Sequence, residues 1–396
     1  TRTVDGTHTE PAGGPGIEVR GSAALQWDTM TDDSDNGLET NLWSLPFRVK
    51  VTNLGNRITI RARGSIRKIE RTGFSSSLPE SEWRNRIQEV ALVREGRDLD
   101  WHIALGRVGS RATAAAGPFD GLSFSGRVGG EVRLGAFAGF APEWEDLGFG
   151  TDDQLAGLTF HWHHRSAGGN ILDMLIAGVG RYHESEISRE YLTMTTTWRS
   201  GRRFSLLQGA EVDINRGWRK DAEGESVTLT GLALTGRYMV LDGLDVNLGY
   251  DDRRPVRTWE TNELPDELFV DAGRLGWRAG VRWRTWRRMS LSLSGSTRQD
   301  DRFDQDSDSW NARLNMPDFP ASRWSTYLAY RGFDGPYLSG SAPAGGMARS
   351  WPNGLRLNLD GGYYGYEGTY ATDTRASSWV EAGASQDLGR HWSAAA

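Results

Sequence analysis

The chain has 396 residues, 50 of them Gly and 17 Trp, with 46 basic against 52 acidic side chains, a net charge of -6 and no Cys. The lack of Cys excludes disulfides, thiolate metal sites, cysteine nucleophiles and covalently attached c-type haem. The negative charge argues against a nucleic-acid binder, and no window reaches the about 18 apolar residues of a membrane-spanning helix.

In chain order, residues 1–16 are rich in Gly, Pro and Thr and read as a loose arm. A first strand is expected over 17–28. Ile58 and Ile60 then alternate with Thr59 and Arg61. Segment 171–179 (ILDMLIAGV) is the most helix-like stretch, but it lies between turn signals and is read as a strand. Leu244, Val246, Leu248 and Tyr250 alternate with Asp245, Asn247 and Gly249. Leu275, Trp277, Ala279, Val281 and Trp283 alternate with Gly276, Arg278, Gly280 and Arg282. The same period recurs from Met289, from Trp310 and from Leu355. A strand turns successive side chains to opposite faces, so each segment has one apolar and one polar face.

The connections alternate in length. Long ones, such as 29–40, 109–121, 142–153, 215–226, 252–273 and 334–354, are interleaved with short ones at 53–56, 129–130, 165–170, 199–203 and 241–243. After Gly354 the alternation slips, because 372–376 and 387–390 both look short. A soluble β-sandwich gives no reason for such alternation, whereas an outer-membrane barrel has short periplasmic turns and long external loops. The expectation is an all-β fold: an antiparallel up-and-down transmembrane β-barrel of about 20 strands, in the range 18–22. It forms one domain over 17–396, with the arm periplasmic or inside the lumen.

Tryptophans sit at strand ends. Trp101, Trp162, Trp198, Trp283, Trp286, Trp324 and Trp392 lie beside short turns, and Trp27, Trp43 and Trp310 beside long loops. Two aromatic belts at the two membrane interfaces are expected.

On this pattern, together with segments such as GPFDGL (117–122), the chain resembles the bacterial outer-membrane porin-like β-barrels over nearly its whole length. Its last residues, HWSAAA, depart from the family's usual final strand with a terminal aromatic, so the last strand reads as incomplete. The resemblance implies residence in the bacterial outer membrane, with lipid and lipopolysaccharide around the wall and a homotrimer as one possible assembly.

If the apolar faces meet lipid, the alternate residues face the lumen. Arg20, Arg48, Lys50, Arg61, Arg63, Arg278, Arg282, Arg313, Arg323, Arg331 and Arg356 are the expected lumen-lining cations. Glu18, Asp100, Glu131, Asp245 and Asp360 are the expected inward acids. Such a wall favours anions through fixed charge and bidentate guanidinium contacts. The competing reading is that the arginines pair with the acids and merely stiffen the wall. His161 and His163 share a strand face but show no third ligand, and zinc sites need three or four, so with His102 and His164 they read as polar rim and lumen residues. No metal, cofactor or catalytic residue is expected.

Three functions compete at this level. One is a passive channel for small polar or anionic solutes. The second is a sheath or scaffold for a partner such as a multihaem cytochrome, a lipoprotein or a surface-fibre subunit. The third is a soluble β-sandwich adhesin.

Overall fold

The computed structural model describes residues 16–31, 39–55, 57–72, 79–94, 99–109, 111–143, 147–264, 274–285, 288–300, 305–368, 374–387 and 393–395. Residues 1–15 of the expected N-terminal arm, Trp286 and Trp392 lie outside the described residues.

The chain is an antiparallel up-and-down β-barrel. Two segments, β1 (Glu18–Ala23) and β2 (Gln26–Thr31), both pair with β3 (Glu39–Thr52) and form one interrupted strand. The expected single strand 17–28 is thus broken at Ala24–Leu25 and runs on to Thr31. There follow β4 (Ile58–Thr72), β5 (Ser81–Arg94), β6 (Trp101–Val108), β7 (Phe119–Arg127), β8 (Val132–Phe140), β9 (Asp153–Arg165) and β10 (Ile171–His183). The sheet continues through β11 (Glu186–Ser200), β12 (Phe204–Ile214), β13 (Val227–Leu241), β14 (Leu244–Arg253), β15 (Arg274–Arg284) and β16 (Ser290–Asp300). Last come β17 (Gln305–Pro317), β18 (Trp324–Asp334), β19 (Leu338–Ser350), β20 (Leu355–Gly368), β21 (Thr374–Asp387) and β22 (Ser393–Ala395). Each strand from β3 to β22 pairs antiparallel with its sequence neighbour. Counting β1 and β2 together gives 21 strands among the described residues.

Burial is inverted relative to a soluble protein. Leu158 is 69% exposed and Val380 79%, whereas the inward Ala177 is 1% exposed. A water-soluble surface does not carry so continuous an apolar band; a barrel wall in lipid does. Lipid offers backbone groups no partners, so they must pair within the sheet.

Two connections depart from the expected long–short alternation. The external link between β10 and β11 is the two-residue turn Glu184–Ser185, with φ 47° and 77°. Positive φ at both central positions matches the right-handed twist of a tight hairpin, so no long loop is needed there. The stretch 334–354, read as one long loop, contains β19. Its Gly, Ala and Pro hide the strand pattern; with β19 counted, the β20–β21 link falls at the external end and the β21–β22 link at the periplasmic end, while the external β18–β19 link is only 335–337.

The lumen is not uniformly polar. Between β6 and β7 the 3-10 segment Arg111–Ala116 folds against the inner wall. Beneath it, Val93, Ala104, Phe119, Phe137, Leu155 and Val179 form a buried apolar cluster with Ala116. Full burial of a side chain such as Phe119 contributes about 1.5–3 kcal/mol. This explains why 171–179 reads apolar on both faces: one face meets lipid and the other meets the inserted segment.

Candidate functional site: the barrel lumen

Cross-strand partners share a face, so register carries the inward set around the wall. Arg20 stands opposite Lys50, Lys50 opposite Arg61, and Arg61 opposite the buried Ala91. Arg48 stands opposite Arg63, and Arg63 opposite Glu89. The neighbours Val19, Val49 and Ile60 are exposed on the outer face. Arg278 and Arg282 alternate with the outward Trp277, Val281 and Trp283. Arg313 stands opposite Ser292, which stands opposite Arg282. Arg331 and Arg356 alternate with the outward Tyr330 and Leu357. Arg323 is placed differently. It lies in turn 318–323 at φ 70°, with its backbone N–H donating to Asp318 Oδ1 at 2.9 Å. It is a rim residue because the strand begins one position later, at Trp324.

Two of these cations pair with carboxylates: Arg20 with Glu18, and Arg61 with Glu89 at 3.7 Å. Arg278 donates to Thr235 Oγ1 at 3.1 Å. Arg313 donates to Asn315 Oδ1 at 2.9 Å and lies over the Tyr327 ring at 4.2 Å. Arg48, Lys50, Arg63, Arg282, Arg331 and Arg356 have no carboxylate within ion-pair distance among the described residues. Asp245 is taken by Arg237 at 2.9 Å and Arg284 at 3.8 Å. A hollow of about 830 Å³ on the β14–β19 wall is lined by Arg253, Arg278, Arg298 and Arg331 together with Asp251, Asp308 and Asp334.

The opposite character holds on β5–β11. The Tyr191 hydroxyl donates to the Ala115 carbonyl at 2.8 Å, and Arg181 donates to the Ala116 carbonyl at 2.5 Å. These contacts satisfy carbonyls that the short 3-10 segment leaves open. Below the segment is a cavity of about 280 Å³ lined in part by His102, Thr113, Arg133, Thr159 and His161. His161 Nε2 and His163 Nδ1 both face Asp173 Oδ2, at 3.3 and 3.0 Å. His164 points the other way, onto Glu131 at 2.6 Å, and Trp162 Nε1 donates to the same carboxyl at 3.3 Å. Glu131 therefore sits on the outer rim rather than facing inward as the alternation suggested. The His164 imidazole, and after it the Trp162 indole, hold its carboxyl below the usual glutamate range.

Two ionic nodes went unread in the sequence. Arg107 forms a bidentate pair with Asp120, at 2.8 Å from Nε, and donates to the carbonyls of Ile87, Leu147 and Gly148. It thereby ties β6, the start of β7 and the 141–152 connection together. The fully buried Asp213 accepts from Arg189 at 2.6 and 2.9 Å and from Arg219 at 2.7 Å. Arg219 comes from helix α1 (Trp218–Glu223) in the β12–β13 connection, and burial pushes its pKa down. In each node strand residues meet groups carried by a connection, Leu147 and Gly148 in one and Arg219 in the other, which strand periodicity cannot report.

The tryptophans at Trp27, Trp43, Trp101, Trp198, Trp283 and Trp310 are exposed on the outer face. Trp162 and Trp324 share that face by alternation with Leu158 and Leu328. Trp27 stacks on Trp43 with centroids 5.5 Å apart, and Lys68 lies over Trp83 at 5.8 Å. Trp83 belongs to the same outward row through the pairs Trp43–Lys68 and Lys68–Trp83.

No protein-family model and no curated protein matches this sequence. Among solved structures, the P pilus usher PapC translocation pore is similar over 93% of this chain and 93% of that one, at 11% identity and a TM-score of 0.52. The siderophore receptor PirA from Acinetobacter baumannii is similar over 93% of this chain and 74% of that one, at 9% identity and a TM-score of 0.52. At such identities the likeness is one of fold, and the fold of this chain is that of the bacterial outer-membrane β-barrels.

Proposed function

We propose that the protein is a porin-like channel of the bacterial outer membrane, passing small polar or anionic solutes by passive diffusion. The observation that carries this reading is the set of inward cations, Arg48, Lys50, Arg63, Arg282, Arg331 and Arg356, that lack carboxylate partners among the described residues. A stiffening role would have matched them with acids. Fixed positive charge along an aqueous wall raises the local concentration of anions and lowers that of cations. Guanidinium groups add bidentate contacts to carboxylate or phosphate. The inserted segment 111–116 narrows the pore from one side, so solutes pass along the arginine-lined side. Transport of this kind needs no catalytic residue. The outward tryptophans anchor the wall at the two interfaces.

Reversal potentials in planar bilayers under a KCl gradient test the reading. Wild type should prefer chloride, and the triple variant Arg282→Glu, Arg331→Glu, Arg356→Glu should shift toward potassium. A barrel that conducts nothing and co-purifies with a stoichiometric second subunit would instead support the sheath.

A further inference from the structure

At the external end of the barrel, three side chains from distant parts of the sequence converge. Asp153 opens β9 and His183 closes β10, and the two are cross-strand partners. Glu260 lies in the 3-10 turn Trp259–Thr261, within the connection between β14 and β15. The turn is docked on β11: Ser188 Oγ donates to Glu260 Oε2 at 3.2 Å, and the Trp259 N–H donates to Ser188 Oγ at 3.3 Å. The Trp259 ring also meets Trp218 of α1 edge-on at 5.6 Å.

We infer that Asp153, His183 and Glu260 form a binding site for a divalent transition-metal ion of the zinc class. One potential ligand atom from each residue lies within 4.8 Å of the other two. His183 Nδ1 is 2.7 Å from Asp153 Oδ1 and 3.7 Å from Glu260 Oε1. Zinc takes imidazole nitrogen and carboxylate oxygen at about 2.0–2.2 Å, which places neighbouring ligand atoms of a tetrahedron about 3.3–3.5 Å apart. The observed separations bracket that edge, so small rotamer adjustments would seat an ion. The donor set of one imidazole and two carboxylates, with a position left for water, suits zinc, manganese or cobalt; calcium takes oxygen ligands.

The charge balance points the same way. One carboxylate oxygen of Asp153 and one of Glu260 lie within 4.8 Å of each other. Among the described residues, neither has a Lys or Arg ion-pair partner; His183 is the one basic group facing both. An ion there would join the β9–β10 wall to the β14–β15 connection and pin that connection over the external end. The other histidine cluster is less suited. His161 and His163 approach Asp173 Oδ2 from two sides, but these three residues do not bring one ligand atom each within 4.8 Å of the other two.

The test is calorimetric titration of the full chain, folded in detergent and stripped with chelator, with Zn²⁺. Visible absorption of the Co²⁺ form is the second readout. Wild type should bind one equivalent, with the intense d–d bands of a four-coordinate site. His183→Ala should lose this binding. Glu260→Gln, which changes no barrel strand, should weaken it by at least about tenfold. His163→Ala should bind as wild type does. Heat-modifiable migration on gels checks that each variant is folded. No saturable binding by wild type, or binding kept in full by both His183→Ala and Glu260→Gln, would overturn the inference. The site is independent of the channel reading, since binding is measured without transport.

Discussion

The Tyr191 hydroxyl on β11 donates to the Ala115 carbonyl at 2.8 Å, across 76 positions of sequence. With the Arg181 contact to Ala116, it holds a short segment of backbone against the inner wall of the barrel. A neutral hydrogen bond contributes about 0.5–1.5 kcal/mol net, and one to a charged donor about 1.5–3 kcal/mol. Removing both should free the segment without unfolding the sheet. The double variant Tyr191→Phe, Arg181→Met is therefore expected to show larger or noisier single-channel conductance than wild type. Identical conductance traces would mean that these contacts do not set the pore width.

The Arg107–Asp120 pair is buried and bidentate. Breaking such a pair from one side leaves an uncompensated charge and costs about 3–5 kcal/mol. Arg107→Met should lower the unfolding midpoint in urea, and Arg107→Met with Asp120→Asn should recover part of the loss. If the single variant unfolds where wild type does, the pair is not structural.

Gly121 and Gly139 are cross-strand partners on β7 and β8. A Cβ on Gly139 would stand 2.3 Å from the Asp120 carbonyl oxygen, and one on Gly121 would stand 2.2 Å from that of Ala138. These neighbours are backbone and cannot rotate away. Gly139→Ala should destabilise the barrel by about 1–3 kcal/mol or more, the range for overpacking. The check is folding yield into detergent together with thermal midpoint.

Glu131 sits in the turn before β8, held by His164 and Trp162. Its folded-state pKa is depressed by those bonds, the His164 bond first. A depressed carboxyl stabilises above its unfolded value of about 4.3, and that stabilisation is lost as pH falls through the lower folded value. Acidification below pH 4 should therefore release the turn and change the Trp162 emission, while Glu131→Gln should remove that step. A step of equal size in the variant would assign it elsewhere.

Alternation of apolar and polar residues determined the strands, the lipid face and the antiparallel path. Those properties follow from the two-residue period of a strand, which reads directly along the chain. Turn chemistry was partly legible: Asp242–Gly243, with Gly243 at φ 88°, is an Asp-Gly hairpin between β13 and β14. The turn Glu184–Ser185 was not, because neither residue type signals positive φ. β19 was hidden because its Gly, Ala and Pro residues carry little hydrophobic contrast. Alternation assigns no side to a residue in a turn: Arg323 lies in turn 318–323 and Glu131 in the turn before β8, and neither follows the strand pattern.

Tertiary structure alone decided what the connections do. Segment 111–116 (RATAAA) has no period that marks it as an insert. It is held in the lumen by residues of β10 and β11, far along the chain. Asp213 with Arg219, and His183 with Glu260, are likewise brought together by connections that fold back onto the wall. Local sequence encodes the face on which a strand residue lies; it does not encode which distant loop will come to rest against that residue.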